Sequence, residues 1–391
     1  MFMNFEHPKE ISLVFLLSDN IAYGSGTQQV VLNYIRAFKQ TKLNVKITVI
    51  DTKRLPGNVR IYDKEYINSV MGNITYKSLV SLPRFYYFLG KTRYTKRIFY
   101  DVIEPTTLKV FGRIFYRRLI NNLSESNFII CIDNNMVFLF PSKIGAKILG
   151  TSHALFGGSK QIKLLQNNKI SYWKRLDAFI SLTNDQEIID MCDKPLFVLP
   201  NGVDVARYYP VKTNNETLKF IFFARLSEEK GVLQLLEIWK KVQNKQNAEL
   251  HVAGDGPLKS VVMNSHMQNF HYHGRLENDK IINFIQSGDI LIYPTFKDVF
   301  PLVVLESFSC GMYCILSERL NGVFDDFVGQ GFSEYINVSD TNLVARRIDE
   351  IIANKENSKL DKENIYKYVS ENYSWATIVD KLYKNLLTLK T

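Results

Sequence analysis

Between Ile290 and Gly311 the chain reads Ile-Leu-Ile-Tyr-Pro-Thr-Phe-Lys-Asp-Val-Phe-Pro-Leu-Val-Val-Leu-Glu-Ser-Phe-Ser-Cys-Gly, and this stretch leaves few ways to fold. The apolar run Ile290–Tyr293 predicts a short buried strand. A turn follows, and then a helix with Pro301 near its first position and Gly311 just past its end. Leu302, Val303 and Glu306 lie three and four apart, so they share one helical face. The free N–H groups of Leu302 and Val303 then point toward the same space as the Glu306 carboxylate, one turn deeper. A helix N-terminus attracts an anion such as phosphate, and a carboxylate beyond it accepts hydrogen bonds from sugar hydroxyls. Strand–turn–helix units abound in α/β proteins, so alone this could equally be a core helix with solvated ends.

The rest of the chain supplies the company this unit needs. Ile11–Leu17 predicts a strand that runs into Ser18-Asp-Asn-Ile-Ala-Tyr-Gly24-Ser-Gly26-Thr27, with helical spacing at Val30, Val31, Tyr34, Ile35 and Phe38. Strand, glycine turn and helix open a phosphate-binding βαβ unit, although no third glycine completes the dinucleotide fingerprint. Apolar runs recur at Val45–Ile50, Phe128–Ile132, Lys147–Leu149, Ala178–Thr183 and Phe197–Leu199. Separated by helical patterns, they predict a mostly parallel sheet. The polar run from Val211 to Thr217 reads as a linker. A second α/β pattern follows, with strands at Leu218–Ala224 and Ala248–Ala253, helices at Val232–Val242 and Asp279–Gln286, and then the Ile290–Gly311 unit. Residues from Tyr373 onward predict a terminal amphipathic helix capped by Ser374. The expected fold class is thus α/β, two Rossmann-like domains facing across a cleft. The expected boundaries are 1–205, 206–372 and a terminal helix, 373–391, packing back on the first domain.

Composition narrows the setting. Four cysteines (Cys131, Cys192, Cys310, Cys314) sit in apolar stretches without metal-ligand spacing. The apolar run at Ile11 has no basic leader or small-residue cleavage site before it, and no apolar run is long enough to span a bilayer. A cytoplasmic protein is the expectation. The net charge of +10 is uneven: from Arg84 to Arg118 nine Lys or Arg face only Asp101 and Glu104, interleaved with ten Phe and Tyr. Rings and cations together suit an anionic membrane surface, equally well as two ordinary helices with aromatic inner and basic outer faces. No nucleic-acid module accompanies the charge, so nucleic acid is not an expected partner. Asp133-Asn134-Asn135 follows a strand but lacks a second acid to share a metal, and no essential metal or other cofactor is expected. His153, after the strand ending at Thr151, lies where parallel sheets bind ligands, and it reads equally well as a structural histidine.

The chemistry collects at a few loops. Lys230 stands just before a helix N-terminus, where its charge opposes the helix dipole. With Arg225 at the exit of the preceding strand it places two cations over one loop, well suited to a diphosphate. Asp298, eight residues before Glu306, completes a carboxylate pair.

These segments, in this order, resemble the retaining glycosyltransferases of family 4. Ala224-Arg225-Leu-Ser-Glu-Glu-Lys230-Gly231 is similar to the family's Gly-Arg-Leu-x-x-x-Lys-Gly, and Pro200-Asn-Gly-Val-Asp204 stands intact. Asp298 and Glu306 match its acidic pair, with Asp for the usual Glu and with Val299 and Pro301 in place of two glycines. The resemblance spans nearly the whole chain. It implies a GT-B fold, with the donor in the C-terminal half and the acceptor in the N-terminal half. It implies that Glu306 holds the donor ribose and that Asp298 contacts the transferred sugar, helped by the N–H groups of Leu302 and Val303. Arg225 and Lys230 would neutralise the diphosphate, and the Gly24–Gly26 loop would approach phosphates closely. Gly274 and Leu276 would face the base, while His153 would support the donor sugar. The implied reaction moves a sugar from a UDP- or GDP-sugar to a glycan or lipid-linked acceptor without metal; the inner membrane face as its place is an expectation from the Arg84–Arg118 region alone. A nucleotide-sugar epimerase or a non-catalytic partner subunit of a glycosyltransferase are the alternatives. The shorter Asp298 points to an altered sugar preference.

Overall fold

Near-continuous apolar strands, rich in Ile, Val and Phe, are stable only where both sheet faces are covered, which is the condition of a parallel sheet flanked by helices. The computed structural model describes residues 10–17, 21, 26–52, 64–72, 74–79, 128–132, 134–140, 144–154, 166–167, 172–184, 186–212, 217–277, 279–354 and 361–389. Gly24, Asp133 and the Arg84–Arg118 region lie outside them. By their contacts the residues fall into two units, Met1–Pro200 with Ile378–Thr391, and Asn201–Thr377.

In the first unit, β1 (Ile11–Leu16), β2 (Val45–Thr52), β3 (Thr75–Leu79), β4 (Phe128–Cys131), β5 (Lys147–Thr151), β6 (Ala178–Ser181) and β7 (Leu196–Val198) form one sheet. Its order is β3-β2-β1-β4-β5-β6-β7, and the pairings are parallel. The direction of winding reverses between β1 and β4, the place where open sheets of this kind bind ligands. The helix Gly26–Gln40 starts directly after the glycine loop and buries Val30, Val31, Tyr34, Ile35 and Phe38, the five residues its spacing singled out. Tyr34 stacks on Phe15 of β1 with ring centroids 5.6 Å apart.

The second unit repeats the plan. Strands β8 (Leu218–Phe223), β9 (Ala248–Ala253), β10 (Phe270–Tyr272), β11 (Ile290–Tyr293), β12 (Tyr313–Ser317) and β13 (Ser333–Ile336) pair in parallel in the order β10-β9-β8-β11-β12-β13. Here the winding reverses between β8 and β11, so the loops that leave these two strands open side by side. Under the helix Leu302–Ser309 lies an aromatic cluster: Phe308 stacks on Phe327 at 3.9 Å, and Phe324 packs edge-on to both. Each of these fully buried rings contributes roughly 2–3 kcal/mol of apolar burial. The helix therefore turns Val304, Leu305 and Phe308 inward and leaves Leu302, Val303 and Glu306 half-exposed.

The unit boundary falls at Pro200/Asn201, ahead of the expected 205/206 and well before the polar 211–217 run. Val203 exchanges backbone hydrogen bonds with the Tyr373–Trp375 turn, donating to Tyr373 O at 2.9 Å and accepting from Trp375 N at 3.2 Å. The Ser309 hydroxyl donates to Tyr208 O at 2.6 Å and the Gln286 amide to Tyr209 O at 3.2 Å. These bonds tie 201–210 to the second unit. Ser374 ends the helix Lys362–Tyr373 and accepts at its Oγ from Thr377 N at 3.3 Å, capping Trp375–Thr388. All four cysteines are free thiols. Among the described residues no helix is long and apolar enough to cross a membrane.

Candidate functional site

The β8 loop and the β11 loop meet at the switch point, and their joining is visible in hydrogen bonds. Phe296 N donates to Glu229 O at 2.9 Å, and the Thr295 hydroxyl donates to the same carbonyl at 3.1 Å. Between these loops Gly231 adopts φ 73°, and a Cβ placed there would lie 1.8 Å from the Pro294 carbonyl oxygen. Only glycine permits that backbone approach. The close fit delivers Lys230 to Asp298.

Lys230 Nζ donates to Asp298 Oδ1 at 2.6 Å, an ion pair with the two side chains 23% and 16% exposed. The other oxygen, Asp298 Oδ2, accepts from the Tyr293 hydroxyl at 2.8 Å and the Thr295 hydroxyl at 3.0 Å. Burial, and after it the neighbouring Asp298 charge, hold the Tyr293 phenol far above its ordinary titration range, so it stays a donor. The carboxylate of Asp298 is thus fixed on both oxygens, with Lys230 on the side of the β8 loop. Arg225 is exposed at the end of β8, in the same loop.

Pro301 caps the helix Leu302–Ser309 from outside, with extended φ and ψ of −72° and 118° and no side-chain cap. It stands directly before the first helical residue, Leu302, near the helix start as expected. Val304 N donates to Pro301 O at 3.2 Å, and the N–H groups of Leu302 and Val303, with no side-chain cap, suit solvent or an anion. One turn on, Glu306 is only half-buried by surface, yet protein crowds its carboxyl group. Desolvation pushes it up to about 7, opposed by a hydrogen bond from the Tyr208 hydroxyl and by the Arg207 charge. Tyr208 in turn is raised, first by burial and then by the Glu306 charge. Near neutral pH Glu306 is therefore only partly ionised.

The last expected donor-side residues close the other edge. Gly254 N donates to Gly274 O at 2.8 Å, fixing the loop after β10 to the loop after β9. Gly274 has φ 67° in open surroundings, Leu276 is half-buried, and exposed Arg275 pairs with Glu277 at 3.2 Å. In the first unit Gly26 opens its helix, with no atom within 4 Å of a Cβ placed there. His153 is half-buried on a single 3-10 turn at the end of β5. That turn is held by Asn134, which accepts from Thr151 N and donates to Thr151 O, each at 2.9 Å. Leu182 N also donates to the Ser152 hydroxyl at 2.8 Å.

Lys230 and Asp298 are therefore brought into contact. Glu306 instead meets Tyr208 and Arg207, which sequence reasoning did not single out. It also missed Tyr293, Thr295 and Asn134. Thr295, three residues before Asp298, carried a local signal as a turn hydroxyl. Tyr208 carried none, being separated from Glu306 by most of the unit.

The switch point of the second parallel sheet thus carries a lysine–carboxylate pair and a helix N-terminus without a side-chain cap. Residues 210–368 match the family model described as glycosyl transferases group 1. The whole chain has the GT-B fold. It superposes on lipopolysaccharide outer core galactosyltransferase WaaB (apo form) with a TM-score of 0.66 at 16% identity, covering 97% of this chain and 100% of the other. For Anabaena Alr3699/HepE in complex with UDP the TM-score is 0.68 at 11% identity, with 97% and 100% covered. In sequence the chain is similar to the phosphatidylinositol N-acetylglucosaminyltransferase gpi3 subunit of Schizosaccharomyces pombe, 21% identical over 256 residues, 62% of this chain and 55% of that protein. It is also similar to the Escherichia coli UDP-Gal:alpha-D-GlcNAc-diphosphoundecaprenol alpha-1,3-galactosyltransferase, 26% identical over 283 residues, 61% of this chain and 70% of that one. The chain spans little more than half the length of the Schizosaccharomyces pombe relative it matches.

Proposed function

We propose that this protein is a retaining glycosyltransferase that moves a hexose-type sugar from a UDP- or GDP-sugar to a glycan or lipid-linked acceptor. The observation that carries the reading is the Lys230–Asp298 pair, held from behind by Tyr293 and Thr295 beside an uncapped helix N-terminus. A lysine paired with a carboxylate can exchange that partner for a donor diphosphate.

In this reading Lys230 and Arg225 stabilise the departing diphosphate, and the N–H groups of Leu302 and Val303 add the helix-terminal field. Glu306 accepts from the ribose hydroxyls as it now accepts from the Tyr208 hydroxyl. Asp298, released from Lys230, accepts from a hydroxyl of the transferred sugar. The bond from the anomeric carbon to the phosphate oxygen breaks, and the acceptor oxygen bonds to the same face. The acceptor's proton passes to the departing phosphate oxygen. Positioning and leaving-group stabilisation then supply the catalysis, and these cations make a metal at the diphosphate unnecessary. By the family resemblance the Gly24–Gly26 loop is assigned to the phosphates and His153 to the sugar. Gly274 and Leu276 serve the base.

The relatives named for phosphatidylinositol and for diphosphoundecaprenol favour a lipid-linked acceptor, met at the inner face of a membrane. The basic, aromatic Arg84–Arg118 segment is then its peripheral anchor, and flotation should be seen with anionic but not neutral liposomes. A non-catalytic partner subunit is the second reading, favoured by the word "subunit" in several relatives' names. The deciding experiment is a panel of UDP-, GDP- and ADP-sugars with chelator present, read by calorimetry and by release of nucleotide on adding lipid-linked acceptor. Binding of one nucleotide class that Glu306→Ala abolishes, followed by transfer, supports the enzyme. Binding without transfer to any acceptor supports the subunit, and no binding refutes both.

A further inference from the structure

We propose that Glu249, His251 and His271 bind one zinc-class divalent cation at the edge of the second sheet, apart from the Lys230–Asp298 site. The register of the strands creates the cluster. Glu249 and His251 are two apart on β9 and so share a face. The edge strand β10 pairs His271 directly beside His251. The rings of His251 and His271 lie with centroids 4.6 Å apart, and His251 Nε2 is 2.9 Å from Glu249 Oε2. One ligand atom from each of the three residues falls within 4.8 Å of the other two.

Two imidazoles and a carboxylate are the donor set of zinc and its neighbours, not of magnesium or calcium. A tetrahedral ion with bonds of about 2.0–2.1 Å keeps its ligand atoms roughly 3.3 Å apart. The Glu249–His251 spacing of 2.9 Å and the 4.8 Å limit on the other two are compatible with that value after small side-chain adjustments, with water as the fourth ligand.

The surroundings contain the orienting group such sites use. His251 Nδ1 lies 2.8 Å from His273 Nε2. When His251 Nε2 takes a cation in place of a proton, that proton resides on Nδ1 and is donated to His273 Nε2, whose own proton moves to its Nδ1. The imidazoles stay neutral and none is lost to solvent. A hydrogen bond of this kind, from the ring nitrogen turned away from the ion, fixes a ligating histidine's tautomer. Lys219, beside Glu249 on β8, is the one cation of the same face among the described residues, and it opposes the ion.

Such an ion would clamp a three-residue edge strand, Phe270–Tyr272, onto β9. That strand leads straight into Gly274, whose carbonyl is already bound by Gly254 N. The ion would thereby stiffen the loop after β10 without entering any transfer step.

The test is calorimetric titration of zinc chloride into tag-free, chelator-stripped protein, with melting temperature measured alongside. Wild type should take up one equivalent and melt higher with zinc but not with magnesium. His271→Ala, on an exposed edge and so expected to fold, should lose at least tenfold in zinc affinity while keeping every cysteine. Lys219→Met should bind more tightly. Equal zinc uptake by wild type and His271→Ala, or no uptake by wild type, would overturn the proposal.

Discussion

Replacing Asp298 by Asn keeps the shape of the site and removes its charge, which separates the two jobs of this carboxylate. Asp298 meets three donors, Lys230 at 2.6 Å, Tyr293 at 2.8 Å and Thr295 at 3.0 Å. An amide can keep its oxygen on Lys230 and turn its NH2 toward the two hydroxyls, which then accept. The geometry survives, and what is lost is the charge assistance of a pair less than a quarter exposed. That loss is about 1.5–3 kcal/mol of stability. For a unit of this size it lowers the melting temperature by roughly 4–10 °C. Lys230, however, no longer has to leave an anion in order to meet a diphosphate. With partial solvent screening this favours free UDP or GDP by roughly 1–1.5 kcal/mol, five- to tenfold in Kd. Transfer from the intact nucleotide sugar should fall at least a hundredfold, because the sugar loses its charged acceptor. Calorimetry with the nucleotide and a donor-turnover assay read the two effects on one preparation. Weaker nucleotide binding by Asp298→Asn, in a protein that is still folded, would refute the exchange of partners by Lys230. Unchanged turnover would refute the role of Asp298.

The Glu306 carboxyl, raised to about 7 in the folded protein, binds a proton that the unfolded chain releases near its ordinary value. Stability therefore falls as pH rises from about 4.5 to about 7, by at most roughly 3 kcal/mol. Denaturant unfolding of Glu306→Gln across that window should be flatter than wild type, and in wild type donor affinity should rise as Glu306 ionises. Gly231→Ala and Gly274→Ala test backbone approach at nearly equal φ, 73° and 67°. The first drives a methyl into the Pro294 carbonyl and the second enters open space. Chemical denaturation should show a loss above about 3 kcal/mol for Gly231→Ala and about 1 kcal/mol for Gly274→Ala. Asn134→Ala strands both backbone groups of buried Thr151. It should destabilise the first unit by about 2–3 kcal/mol, measurable by urea unfolding.

Much of this protein is legible along the chain because its elements are local patterns. Ile290–Tyr293 is a strand and Asp279–Gln286 a helix at the positions their apolar spacing marks. Val30, Val31, Tyr34, Ile35 and Phe38, five of the eight buried residues of Gly26–Gln40, follow the 3.6-residue period, and the half-exposed face of Leu302, Val303 and Glu306 was visible for the same reason. Arg225, Lys230, Asp298 and Glu306 could be read as binding groups from motif and order. The tertiary structure alone decided whom those groups touch. Lys230 reaches Asp298, sixty-eight residues away, only because β8 and β11 are neighbours in the sheet and Gly231 lets the loops close. Tyr208 reaches Glu306 because 201–210 folds onto the second unit, which also moved the boundary to Pro200. The Glu249–His251–His271 cluster exists only in the parallel register of β9 and β10. Helix and strand periods are carried by neighbours in sequence, whereas strand order and register are set by burying whole faces together, and no single segment encodes them.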